Sequence, residues 1–226
     1  MAGVKIEPYL SLPFRGKKFF VEEGWYYSKQ ENSIHHYKKH SGIDFKLKRW
    51  TPILAAHSGY ALGSYQHNVR RYRGRDLLYR GRPVGFGYGY FVVIWNPELE
   101  RGTLYGHCQK LSPRLSFIKP TGKFPNLKSG LYSLPAAQII KRGSLVKVGQ
   151  VIGWAGDQGC TWGYNDYPKR PNPKKFPSYD GVHLHFEEFG KNLTGQPVGL
   201  RDPFGIYKSY KQYPQVKRQS KFSLWI

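Results

Sequence analysis

A chain of 226 residues with 39% hydrophobic residues, 18 Tyr, 13 Phe and 6 Trp holds enough apolar surface for one sizeable core, which excludes wholesale disorder. Its 36 basic against 14 acidic residues give a net charge of +22, which favours polyanionic partners and says nothing about fold. No apolar run approaches the roughly 18 residues of a membrane span, and Met1 to Leu12 lacks the apolar stretch of a secretory signal.

In chain order, residues 1–39 are aromatic and basic without clear periodicity, and they read as an extended leading segment packed on the core. Frequent Gly and Pro bound short apolar runs from His40 onward, which predicts an all-β (or β-rich α+β) single domain with an antiparallel sheet core over residues 40–206. HSGIDFKL and TPILAAHSGYALGSY predict two short strands joined by a turn near Arg49 to Thr51. GYFVVIW, Gly89 to Trp95, is apolar on both faces and predicts a central strand, in a hairpin with TLYGH, Thr103 to His107. LVKV and VIGW flank Gly149-Gln150, which predicts a tight hairpin with positive φ at the glycine. In VHLHFEEF, Val182, Leu184 and Phe186 face one side of a strand and His183 and His185 the other.

Three stretches read as insertions, near 66–83, 112–141 and 160–180. The first carries Arg70, Arg71, Arg73, Arg75, Arg80 and Arg82 against Asp76, and so predicts a positive, solvated loop. Residues 207–226 form a basic C-terminal tail.

The histidines suggest chemistry. Catalytic zinc takes three His, Asp or Glu ligands and leaves a position to water. His183 and His185, two apart on a strand, share a face, and so do His40 and Asp44, four apart, with Ile43 and Phe45 turned to the core. Either pair alone is better explained by an ordinary strand than by a metal site.

Together, the order HSGIDF, TPILAAHSGY, LYGH, VKVGQVIGWAGDQG, VHLHFEE resembles the lysostaphin-type (LytM-like) peptidoglycan zinc metalloendopeptidases over roughly His40 to Phe189. The resemblance implies a groove over a zinc site, one Zn2+ per chain held by His40, Asp44 and His185, and His107 and His183 as the non-ligand catalytic pair, with the division between base and stabiliser open. It implies hydrolysis of peptide cross-links or stem peptides of bacterial peptidoglycan by a metal-activated water. Trp50 stands where the family has a glycine before Thr-Pro, which implies an altered turn, and the stretch 160–180 is longer than the family pattern, which implies a different groove rim.

Peptidoglycan is therefore the expected partner, with anionic wall polymers bound through the basic loops. The alternatives are an inactive wall-binding or activator module of the same fold and a basic nucleic-acid-binding protein. Action on the cell wall without a signal peptide implies a phage-borne, virion-associated, lysis-released or non-classically exported protein, an endolysin among them. His35, His36, His57 and His67 lack partner spacing and read as surface or satisfied histidines. Cys108 reads as a buried thiol facing away from His107, and a Cys108–Cys160 disulfide stays open.

Overall fold

The computed structural model describes residues 7–16, 18–24, 40, 42–69, 71–76, 78–79, 82–83, 85–131, 134–159, 181–190, 201–205 and 223–226. Their centre is a 12-stranded sheet. Its main path runs β1 (Val21–Glu23), β2 (Ile43–Lys46), β16 (His183–Phe189), β10 (Arg101–Leu111), β9 (Gly85–Asn96), β4 (Gly59–Val69), β13 (Asn126–Lys128) and β12 (Thr121–Lys123). All of these neighbours pair antiparallel. The short strand β11 (Ser116–Phe117) adds to β4 in parallel. Fold class thus agrees with the sequence: an all-β single domain with one short helix, α1 (Ala136–Arg142), among the described residues.

The sheet is buried on both faces, which explains why GYFVVIW lacks alternation. Val92 and Ile94 belong to one cluster with Ile43, Phe45, Tyr105, Leu184 and Phe186, while Phe91, Val93 and Trp95 belong to a second with Leu62, Leu104 and Phe189. Leu10, Phe14, Phe19, Phe204 and Trp225 cover the first cluster, and Leu131 and Ile139 the second. Val21 and Glu23 also pair with Phe45 and Asp44. Leu10 meets the last residues of the chain, since Ile226 N donates to Leu10 O and Leu10 N to Leu224 O, both at 2.9 Å. Ser223, Leu224 and Trp225 are buried while Ile226 is half exposed, so this part of the basic tail joins the core.

Three local expectations change. The run from Thr51 divides into β3 (Pro52–Leu54) and β4, with His57 turned inward at the break, and β2 and β3 take different partners, β16 and β15 (Val151–Ala155). The LVKV–VIGW hairpin is not formed. Gly149 does turn the chain at φ 78°, with Gln150 N bonded to Lys147 O at 3.0 Å, but β14 (Ser144–Val146) pairs with β4 while β15 pairs with β3 and β10. A tight turn fixes chain reversal locally, whereas strand partners are chosen by burial across the whole sheet.

The arginine-rich stretch is built as ribbon. β4 and β9 pair outward to Val69 and Gly85, and β5 (Arg71–Tyr72) and β6 (Arg75–Asp76) close on Arg73-Gly74, whose φ values of 50° and 78° suit a two-residue hairpin turn. A second minor pair, β7 (Leu78–Tyr79) and β8 (Arg82–Pro83), follows. Trp50 occupies the turn after β2 at φ 67°, a conformation that a glycine would accept without strain, with its N–H on Ala155 O at 2.9 Å. The stretch 160–180 and most of the basic tail lie outside the described residues.

Candidate metal centre

β2, β16 and β10 lie side by side and bring the histidine-bearing stretches into one place. Asp44 pairs with His185, Lys46 with His183, and His185 with Gly106 beside His107. Leu184 and Phe186 point into the core, so strand alternation turns His183, His185 and Glu187 to the opposite face. Gly42 is required by closeness, since a Cβ there would lie 2.9 Å from His185 Cε1 and Nε2 and nearer still to the Phe186 carbonyl.

Three donor atoms converge. His40 Nε2 lies 3.0 Å from His185 Nδ1 and 3.3 Å from Asp44 Oδ1, and His185 Nδ1 lies 2.8 Å from Asp44 Oδ1. Ligands about 2.0–2.2 Å from a tetrahedral ion stand about 3.3 Å apart, so a small expansion of this triangle accommodates zinc. Two imidazoles and one carboxylate are also the donor chemistry that zinc accepts. Of the described residues, this is the one group of His, Cys, Asp and Glu side chains with such convergence.

Each histidine is oriented by its other nitrogen. A carbonyl oxygen only accepts, so a ring nitrogen bonded to one carries the proton. His40 Nδ1 donates to Gly24 O at 2.7 Å, which leaves Nε2 facing Asp44 and His185. His107 Nδ1 donates to Gln158 O at 2.9 Å, and His183 Nδ1 to Gly181 O at 3.1 Å. In the neutral form both of these rings keep a lone pair on Nε2. The His107 and His183 rings are 4.5 Å apart, and His183 Nε2 lies 3.8 Å from Asp44 Oδ2.

His185 is held at both ends by carboxylates, Asp44 at Nδ1 and Glu187 Oε1 at Nε2, the latter at 2.9 Å. Burial alone pushes its pKa down, but the hydrogen bonds and charges of Asp44 and Glu187 outweigh it and raise the value to about 10. The proton on Nδ1 is the one that a metal ion would displace. Asp44 is the reverse case: burial opposes its ionisation, yet the charges of His40 and His183 and hydrogen bonds from His185 and His40 hold it well below the usual carboxylate range. Burial, then the charge of His183, keeps His107 well below the usual histidine value.

His107 sits at φ 58°, a left-handed conformation that costs a non-glycine residue about 1–2 kcal/mol. The cause is a bulge: Tyr105 pairs with Val92 but Cys108 with Tyr90, so β10 has one extra residue here, and the kink re-aims the imidazole toward Gln158. The Gln158 loop is fixed in turn. Arg49 donates to both Asp157 oxygens at 2.6 and 2.7 Å, and Gly89, at φ 61°, lets the loop approach so closely that a Cβ would run into the Gln158 carbonyl.

The structure thus brings His40, Asp44, His107, His183 and His185 together, and it leaves His57 and His67 elsewhere as buried, hydrogen-bonded residues. His35, His36 and Cys160 lie outside the described residues. Cys108 is a free, buried thiol, and burial raises its pKa to about 12. Two neighbours were not anticipated, Glu187 and Tyr88. Tyr88 donates from its hydroxyl to Glu187 Oε1 at 2.6 Å, and its ring centroid lies 5.1 Å from that of His185 and 6.2 Å from that of His107. Glu187 was legible in principle, since it stands two residues after His185 on the same strand face; Tyr88 reaches the site only through the pairing of β9 with β10.

No family model and no curated protein matches the chain. Solved structures that it resembles include the catalytic domain of the antimicrobial peptidase lysostaphin from Staphylococcus simulans, with 20% identity, 85% of this chain and 93% of that chain covered, and a TM-score of 0.42. A zinc-containing peptidase from Vibrio cholerae gives 19% identity, 85% and 39% coverage and a TM-score of 0.42. Csd3 from Helicobacter pylori gives 18%, 96%, 36% and 0.44. At these scores the likeness carries no argument about activity, which rests on the site itself.

Proposed function

We propose that the chain is a zinc-dependent endopeptidase that hydrolyses peptide cross-links or stem peptides of bacterial peptidoglycan by a metal-activated water. The observation that supports it is the complementary orientation of four histidines around Asp44: each turns one nitrogen to the centre while the other is engaged by a carbonyl or a carboxylate. His40, Asp44 and His185 would hold the ion. When bound, zinc supplies Lewis acidity and lowers the pKa of water to about 7.

The rest falls to side chains of this protein. His107 and His183 divide proton acceptance and stabilisation of the developing oxyanion, His107 being held neutral by burial, and the proton passes on to the departing amine. Gln158 O and Gly181 O keep both rings from turning away. The catalytic unit in this reading spans residues 40–206, with the leading segment packed against it and the basic ribbon reaching toward anionic wall polymers. The cell wall is then the place of action.

The test is incubation of the purified chain with purified peptidoglycan. New free amino groups are expected, lost with a chelator and restored by zinc. Absence of new amino groups, or equal release in the presence of chelator, contradicts the proposal.

A further inference from the structure

Glu187 is fully buried, yet it is ionisable and stands on the site face of β16. Its Oε1 receives two hydrogen bonds, from His185 Nε2 at 2.9 Å and from the Tyr88 hydroxyl at 2.6 Å. The other three histidines of the centre lean on backbone carbonyls. His185 alone among them leans on a carboxylate, and a carboxylate makes an imidazole a stronger electron donor than a neutral amide does.

Tyr88 is held in place by the backbone around it. Gly87 and Gly89 flank it at φ 148° and 61°, and it lies over Gly106, where a Cβ would meet Tyr88 Cδ1 at 3.0 Å and His185 Cβ at 3.3 Å. The missing side chain at Gly106 is therefore the space that Tyr88 uses to reach Glu187.

We propose that Glu187 and Tyr88 are positioning residues of the metal centre. Glu187 keeps the proton of His185 on Nε2 and turns Nδ1 toward His40 and Asp44, and Tyr88 fixes the rotamer of Glu187. The negative charge of Glu187, added to that of Asp44, also offsets the two positive charges of the ion. This rests on the reading of His40, Asp44 and His185 as ligands.

Zinc affinity, measured by competition with a chromophoric chelator, tests it without recourse to activity. Glu187→Ala is expected to weaken zinc about 10- to 100-fold. Glu187→Gln, which keeps an acceptor oxygen, should recover part of that loss, and Tyr88→Phe should weaken zinc less than Glu187→Ala does. Circular dichroism before loading reports whether each variant is folded. Independently of any variant, nitrogen NMR of the zinc-loaded wild type should show His185 protonated at Nε2 and metal-bound at Nδ1. Folded Glu187 variants with wild-type affinity, or a His185 bound through Nε2, overturn the inference. If the wild type binds no zinc at all, the ligand reading has failed instead.

Discussion

His185 shows how much a single side chain can be asked to do in a buried site. Two carboxylates and a neighbouring imidazole compete for its ring, and the outcome is a group whose proton at Nδ1 must leave before an ion can bind. Protons compete with the ion for the ligand nitrogens, at His185 already below about pH 10, so zinc affinity should weaken steadily with falling pH and zinc and activity should be lost together as the solution is acidified. Burial and the charge of His183 hold the His107 pKa well below the usual histidine value, so its protonation should come later in acid than that of an ordinary histidine. Parallel curves of bound zinc and of peptide cleavage against pH are expected; cleavage that falls while zinc stays bound would place the acid limb on His107 or His183. At this scale strand periodicity puts His183 and His185 on one face of β16, but His40 stands before β2, and the choice of His40, Asp44 and His185 as ligands came from the order of the motifs and not from spacing. The left-handed turn at His107 was not readable, since a bulge arises from mismatched register between two strands and leaves no mark in either one.

Elements hold the site through contacts that a single strand cannot predict. Glu188, next to Glu187 but on the other face of β16, is fully buried and receives Arg101 Nε at 2.6 Å and Arg201 Nε and Nη2 at 2.9 and 2.7 Å, with the Tyr9 hydroxyl as a further donor. Burial opposes its ionisation, but the two guanidinium groups win and lower its pKa. A carboxylate with a lowered folded-state pKa contributes stability that is present above its ordinary value of 4.5 and is lost as pH falls through the folded value. Glu188→Gln should therefore cost about 1.5–3 kcal/mol at pH 7, because it leaves two partly buried guanidinium groups without their anion. The gap between variant and wild type in denaturant unfolding should narrow as pH falls below the ordinary value of 4.5; a constant gap would mean that packing and not charge is lost. Gly89→Ala should displace the Gln158 loop, remove the acceptor of His107 and lower both stability and cleavage, while zinc stays bound. Zinc content and unfolding midpoint of that variant check it. The strands themselves were largely legible, as in GYFVVIW and VHLHFEEF, because apolar runs and alternation report burial directly. The LVKV–VIGW pairing was not, since Gly149 announces a turn but not which strands the two arms will join.

At the scale of the whole molecule, the proposed function gives the net charge of +22 a role in holding the protein on anionic wall polymers. Arg71, Arg73 and Arg75 are exposed on the ribbon beyond β4 and β9. Fields of this kind act over about 10 Å at 0.1 M salt and shrink to about 3 Å at 1 M. Sedimentation with purified walls should therefore show binding that falls steeply between low and high salt, and replacing the three arginines by glutamine should reduce the slope without changing zinc content. Binding indifferent to salt would remove the tethering role. Charge of this sign was visible in composition, but that Arg71, Arg73 and Arg75 sit on a paired ribbon and not a loose loop depends on the Arg73-Gly74 turn and on the length of β4.

The five-residue division of labour is tested most directly by titrating zinc into the wild type and into alanine variants of each position. One equivalent per chain is expected for the wild type, none for His40→Ala, Asp44→Ala or His185→Ala, and one for His107→Ala and His183→Ala, whose cleavage of peptidoglycan nonetheless falls by about 10²–10⁴-fold. Zinc retained by the His185 variant, or lost from the His107 variant, would contradict it.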